Sequence, residues 1–428
     1  MRYFRDNSTI VVTAEELSSY AVKKNISPSA LSGGFERIDS RDTMMGGELF
    51  DEILSSTVTI GNLTLQINGS PDRVFPCDVG PVVELITYAK KVPYKFNVSY
   101  NAELLAEGVV SAFVFAKSEL EDTVNLRLTF VSRDTGESVS FERCYSAEQL
   151  TKMTEALVSR AEPFIKIFAE RESVRIDEIK KLSFPYGDIR SGQHELMLGV
   201  MKTLRRGGKL IASAPTGTGK TMATLYPAVK ALSEKYIDRI FYLTGKTVTG
   251  KAAFDAMKLL SEQAPHLRCI MIHSKERGCA ENHRHDSCFV CPRMNDADIG
   301  GDIIPYKMRR DMALAEILKE HIMYDSKLVS EYAERYKLCP YELSLDISEY
   351  CDTIICDYNY VFDSKVYFRR YFAEERGEKY AFLIDECHNL PDRVRASYSE
   401  TVDERCIDPL LDLLKGELLG DHELGIAV

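Results

Sequence analysis

One stretch, residues 210–221 (LIASAPTGTGKT), constrains this chain more than any other. Its apolar start, Leu210, Ile211 and Ala212, predicts a short buried strand. A Gly-rich turn follows, and residues 222–232 predict a helix. Strand, tight loop and helix N-terminus together form an anion cradle. Backbone N–H groups left unpaired at a helix start point outward, and the helix dipole adds partial positive charge there. Ala214, Pro215, Thr216, Gly217, Thr218 and Gly219 would wrap the phosphates of ATP. Lys220 would reach the β- and γ-phosphates, and the Thr221 hydroxyl would hold Mg²⁺. Ala214 stands where the strict pattern has its first glycine.

A second motif lies far downstream. The apolar run at 380–384 predicts a strand, and Asp385, Glu386 and His388 follow it. At the same sheet edge as the phosphate loop, Asp385 would hold Mg²⁺ through water and Glu386 would polarise the attacking water. His388 would couple this site to the rest of the enzyme. Upstream of the loop, the amide of Gln193 can pair with the N6 and N7 positions of adenine.

Other strand ends suggest a nucleic-acid track. Residues 239–244 predict a buried strand whose C-terminal end carries Thr244, Lys246 and Thr247, placed to meet phosphates. Residues 352–356 predict another, followed by Tyr358 and Asn359, an aromatic beside an amide that suits base stacking. Each has an equally simple structural reading, as a solvated loop or as core.

The cysteines offer a metal site. Cys279, Cys288, Cys291 and Cys339 have the spacing C-x8-C-x2-C-x47-C, which suits zinc or an iron–sulfur cluster. His283 and His285 lie inside the first loop and could serve zinc. The other seven, at 77, 144, 269, 351, 356, 387 and 406, mostly fall in apolar runs and read as inert core.

The first 172 residues predict a small α/β domain. Thr13 with Glu16, and Ser146 with Gln149, form capping boxes for two helices. The second helix is expected to run to about residue 172, interrupted near Pro163, with a charged linker at 171–181. Strands are expected at 57–60, 63–67, 73–75, 82–87, 109–116 and 126–132. Asp72 and Glu84 on neighbouring strands could share a Mg²⁺ for phosphodiester hydrolysis.

Taken together, these residues resemble the iron–sulfur helicases of superfamily 2, the XPD/DinG type. The resemblance runs over about residues 184–392 and rests on FPY-x3-R-x2-Q, APTGTGKT, YLTGKT, four cysteines between the two nucleotide motifs, CPYE, CDYNY and DECHNL. Bacterial members with a RecB-like, PD-(D/E)xK nuclease-like N-terminal domain are the most similar. That pattern has a lysine two residues after the second acid, where this chain has Ile86, so the domain is expected to be degenerate.

The resemblance implies an α/β, RecA-like parallel sheet with an inserted cluster domain. Its parts would be a nuclease-like domain at 1–172, a RecA-like domain at 183–268 and 346–395, an iron–sulfur insertion at 269–345, and the start of an arch at 396–428. A 4Fe-4S cluster would sit on the four cysteines. The implied activity is 5′→3′ translocation on single-stranded DNA toward duplex junctions, driven by ATP and Mg²⁺. A second RecA-like half is expected to be missing, unless a separate chain supplies it. Without its arginine finger, turnover would fall about 10³–10⁵-fold. A nucleotide- and DNA-binding module without productive turnover is then the competing reading.

The formal net charge of −11 over 428 residues argues against wholesale polyanion binding and leaves room for a local basic groove. No signal-like apolar core opens the chain and no run reaches membrane-spanning length, so a cytoplasmic protein is expected.

Overall fold

The computed structural model describes residues 1–4, 8–22, 35–39, 50, 52–89, 92–96, 102–190, 192–215, 217–279, 291–299, 302–372 and 378–399. The chain divides into two compact units. Residues 1–185, 258–270 and 274–351 form one, and residues 186–257, 271–273 and 352 onward the other.

The first unit opens with β1 (Arg2–Phe4) antiparallel to β2 (Thr9–Thr13), then α1 (Ala14–Val22). The capping box is reciprocal: Glu16 N–H donates to Thr13 Oγ1 at 3.1 Å and Thr13 N–H to Glu16 Oε2 at 3.0 Å. After β3 (Glu36–Asp39), β4 (Leu54–Ile60) and β5 (Leu63–Gly69) form a hairpin, giving a sheet of order β1-β2-β5-β4. A second sheet, β3-β9-β8-β7-β6, adds β6 (Arg73–Phe75), β7 (Val82–Ala89), β8 (Thr123–Ser132) and β9 (Ser138–Ser146).

β7 and β8 are parallel, which demands a crossover, and α2 (Ala102–Glu119) supplies it. The expected strand at 109–116 is therefore helix. Leu105, Val109, Val110 and Val114 are all fully buried, and α2 packs on β4 and β5 of one sheet and on β7 and β8 of the other. A helix covered on all sides loses its 3.6-residue stripe, so its sequence reads like a buried strand.

Helix α3 (Ala147–Lys181) starts at the Ser146–Gln149 capping box. Pro163 does not interrupt it, and the expected linker at 171–181 is its last turns. One lost backbone bond is outweighed by the faces the helix buries on both sides of Pro163, including Leu157, Ala161, Phe164 and Ile165. Arg171 then donates to His266 O, and Glu178 accepts from the His266 ring, so the charged stretch is tied down within its unit.

The second unit begins with α4 (Gln193–Arg206) and α5 (Lys220–Ser233), then β10 (Arg239–Leu243) and α6 (Thr247–Gln263), which carries the chain into the first unit at residue 258. β11 (Cys269–Met271) follows, and from residue 274 the chain is again in the first unit. There β12 (Ala297–Ile299) and β13 (Asp302–Ile304) form a hairpin. Next come α7 (Tyr306–Glu320), β14 (Met323–Tyr324) parallel to β11, α8 (Ser326–Arg335) and α9 (Pro340–Ser348). Returning to the second unit, β15 (Thr353–Cys356) and β16 (Tyr380–Ile384) flank β10, all parallel, and α10 (Leu390–Ser397) follows. The α/β class with a parallel sheet agrees with the RecA-like expectation.

One local expectation fails in this unit. Residues 208–215 form no strand, and Leu210 and Ile211 are 45% and 90% exposed. A strand persists only with a ladder partner, and β16 is the outermost strand, pairing only with β10 among the described residues. Residues 208–215 do not pair with the open edge of β16, and apolar composition alone does not make a ladder.

Candidate functional site

Gly219 takes φ +78° as the residue before α5, and a Cβ there would lie 2.2 Å from Gln193 Nε2. Only glycine permits both the left-handed turn and that approach. Lys220, the first residue of α5, donates from Nζ to Ala214 O at 2.8 Å and Pro215 O at 3.2 Å. Thr218 Oγ1 donates to Pro215 O at 2.9 Å. Gln193 is buried: its Oε1 accepts from Arg190 N–H and its Nε2 donates to Gly219 O at 3.3 Å. Arg190 also donates to Gly217 O. In this arrangement the Gln193 amide braces the phosphate loop. Thr216 lies outside the described residues.

The acidic motif arrives at the same rim. Asp385 N–H donates to Leu243 O at 2.9 Å, directly beyond the β10–β16 pairing. The Tyr242 side chain hydrogen-bonds both the Thr221 and the Asp385 side chains. Burial raises the Asp385 carboxyl above its usual range and Glu386 adds to this; the Glu386 N–H, Lys220 and Tyr242 oppose it. Lys220 and Asp385 therefore sense each other's charge, as the two motifs require. Glu386 sits at φ +49°, ψ +44°, unusual for a residue with a side chain. Its carbonyl accepts from the Asn389 backbone and side chain, and its Oε2 lies 3.4 Å from His388 Nδ1. His388 is largely exposed.

Tyr242 is the residue that motif reading missed. Its position inside YLTGKT was legible, but its partners belong to two distant segments.

The expected nucleic-acid residues divide. Lys246 is exposed beside the start of α6, whereas Thr244 is buried and its Oγ1 hydrogen-bonds Thr249 Oγ1 and the Lys246 backbone. The Thr247 side chain is outside the described set. Tyr358 is 1% exposed and hydrogen-bonds the carbonyls of Asp385 and Glu386, so no face of it is open to a base. Asn359 N–H donates to Asp357 Oδ1 at the start of a short helix.

In the first unit, Cys291 and Cys339 each precede a proline that begins a helical turn. Burial raises the Cys339 thiol pKa; N–H groups of Glu342 and Tyr341 toward the sulfur lower it, and the charges of Glu342 and Cys291 raise it. Arg309 is fully buried and donates to the carbonyls of Asn295, Ile304, Tyr336 and Lys337, next to both cysteines in sequence. Cys279 is half-buried. Cys288, His283 and His285 lie outside the described residues, and among the described residues no three His, Cys, Asp or Glu side chains converge on one point. Of the cysteines read as core, Cys269, Cys351 and Cys356 are buried, Cys77, Cys144 and Cys387 are exposed, and Cys406 lies outside the described residues.

Asp72 and Glu84 are neighbours but are engaged internally. Asp72 Oδ2 accepts from Ile86 N–H at 2.6 Å, and buried Glu84 accepts from Thr129 Oγ1 at 2.5 Å with Arg73 at 3.9 Å.

Residues 250–407 match the DEAD_2 family profile, and residues 196–281 match that of the DEAD/DEAH box helicases. These matches are a likeness to DEAD-box-like helicases over part of the chain. The XPD helicase subunit of general transcription and DNA repair factor IIH from Dictyostelium discoideum is 23% identical over 244 residues, 53% of this chain and 31% of that protein. Its counterparts are 25% identical in Saccharomyces cerevisiae, over 50% of this chain and 30% of theirs, and 24% in Schizosaccharomyces pombe, over 57% and 32%. The matched region thus spans about a third of these relatives' length. A solved structure described as truncated XPD is 20% identical and covers 52% of this chain and 60% of its own, with a TM-score of 0.36. No described helix is long and apolar enough to cross a membrane.

Proposed function

We propose that this chain is the nucleotide-binding part of an ATP-dependent DNA helicase that moves 5′→3′ on single-stranded DNA. The observation that carries the reading is the Tyr242 bridge between Thr221 and Asp385, within charge reach of Lys220. An ammonium, a hydroxyl and a carboxylate on one rim are what a Mg²⁺–triphosphate needs. Lys220 would neutralise the phosphates, Thr221 and Asp385 would hold Mg²⁺, and Glu386 would orient water, with His388 beside it. Gln193 acts by bracing the loop. Exposed Lys246 would meet a DNA phosphate, with Thr244 shaping that turn and Thr247 and Asn359 nearby in sequence.

DNA-stimulated ATP hydrolysis tests the proposal. The rate should rise with single-stranded DNA and vanish in Lys220→Ala and Glu386→Gln. Binding of both ligands without hydrolysis would leave the non-hydrolysing module instead.

We further infer that Cys279, Cys288, Cys291 and Cys339 hold a 4Fe-4S cluster. Cys291 and Cys339 each stand just before a proline that opens a helical turn, which supports the reading of them as ligands. Such a cluster would supply a rigid, four-thiolate cross-link. Iron and sulfide near four per chain, with broad visible absorbance, is the expected analysis; a colourless zinc protein would refute it.

Residues 1–172 are proposed to be a degenerate nuclease-like domain in which Asp72 and Glu84 serve the fold. Mg²⁺-dependent cleavage abolished by Asp72→Ala would contradict this.

A further inference from the structure

Tyr358 joins two places that the proposed function keeps separate. Its ring packs on the turn after β10: a Cβ on Gly245 would lie 3.0 Å from Tyr358 Cε2. Burial raises the phenol's pKa, and the Gly245 backbone lowers it by a smaller amount. The phenol O–H in turn donates to Asp385 O, with Glu386 O at 3.3 Å. Arg393, on α10, also reaches Gly245 O at 3.5 Å. A single oxygen thus stands between the turn bearing Thr244 and Lys246 and the turn bearing both acids.

The geometry around that oxygen leaves little slack. Tyr358 is 1% exposed, and the short helix beginning at Asn359 fixes its backbone. Glu386 is held in the left-handed region, where a side-chain-bearing residue persists only if its surroundings over-determine it. The Tyr358 and Asn389 hydrogen bonds to the Glu386 carbonyl are part of that restraint. Moving Gly245 must move the phenol, and moving the phenol must loosen the Asp385–Glu386 turn.

We propose that Tyr358 is a positioning residue that couples occupancy of the Thr244–Gly245–Lys246 turn by single-stranded DNA to the geometry of Asp385 and Glu386 at the nucleotide. This rests on the DNA reading of that turn. The coupling is reciprocal: if DNA tightens nucleotide binding, nucleotide tightens DNA binding by the same factor.

The test measures the affinity of the whole chain for a fluorescent ADP with Mg²⁺, with and without saturating oligothymidylate. The readout is the ratio of the two dissociation constants. A uniformly weakened site or a partly unfolded sample leaves that ratio unchanged. Wild type is expected to give a ratio of about 5 or more. Tyr358→Phe, which keeps the ring and removes the hydroxyl, should bring it to about one. Gly245→Ala, which pushes on the ring from the other turn, should do the same. Variants that keep the wild-type ratio overturn the proposal. A wild type that binds both ligands with a ratio of one overturns it as well, leaving the two binding assignments standing. If no oligothymidylate binds at all, the DNA reading falls and this inference falls with it.

Discussion

A phenol can matter more than a charge where two motifs meet. Tyr242 is buried on β10, and its hydroxyl touches the side chains of Thr221 and Asp385. Tyr242→Phe should destabilise the unliganded protein by about 1.5–3 kcal/mol, the range for a hydrogen bond to a charged group, and weaken Mg²⁺-nucleotide binding as well. Melting of the apo protein and titration at several Mg²⁺ concentrations check the two effects. Glu107 on α2 is the clearest pH probe. Burial, then the charges of Glu15 and Asp72, raise its pKa to about 7 from 4.5. The folded state holds this proton after the unfolded chain has lost it. Its contribution to stability is therefore largest below pH 4.5 and declines as pH rises to about 7, then stays flat. Glu107→Gln should remove that decline, raising the melting temperature at pH 8 by about 2–4 °C relative to wild type. Equal pH slopes for the two proteins would contradict the assignment.

Elements obey local signals where the ends are concerned and tertiary ones in the middle. The Ser146–Gln149 box was readable because it needs only residues three apart. Ser146→Ala should destabilise the first unit by about 1 kcal/mol, measurable as a shift in urea midpoint at constant slope. The run at 109–116 has the apolar composition of a strand, because a helix buried on all sides carries no stripe. The cysteine region is pinned by a side chain with no motif. Arg309 binds four carbonyls around Cys291 and Cys339. Arg309→Met would leave those carbonyls unpaired, at about 1–3 kcal/mol each where they remain buried. Lower iron content and a lower melting temperature are expected together; unchanged values for both would show the guanidinium to be dispensable.

At the scale of the whole molecule, the chain interleaves its two units, so unit boundaries do not follow motif order. The first compact unit runs to residue 185 and takes in 258–270 and 274–351. Ligand linkage offers a global check. A magnesium nucleotide at 100 times its dissociation constant should stabilise the protein by about 2.7 kcal/mol. Lys220→Ala should abolish that gain while leaving the unliganded melt in place.

Short-range chemistry was written in the chain: the Gly219 turn before α5, the apolar run ending in Asp385 and Glu386, and both capping boxes. These depend on residues a few positions apart, whose backbone preferences and hydrogen bonds need no distant partner. Three-dimensional packing alone assigned the rest. Residues 210–212 have the composition of a strand and do not pair with the open edge of β16. Tyr358 looks like a stacking platform and is instead enclosed by Gly245 and the acid turn. Gln193 looks like a base reader and braces a loop. In each case a residue's type limits which bonds it can make, and only the folded chain decides which partner stands within reach.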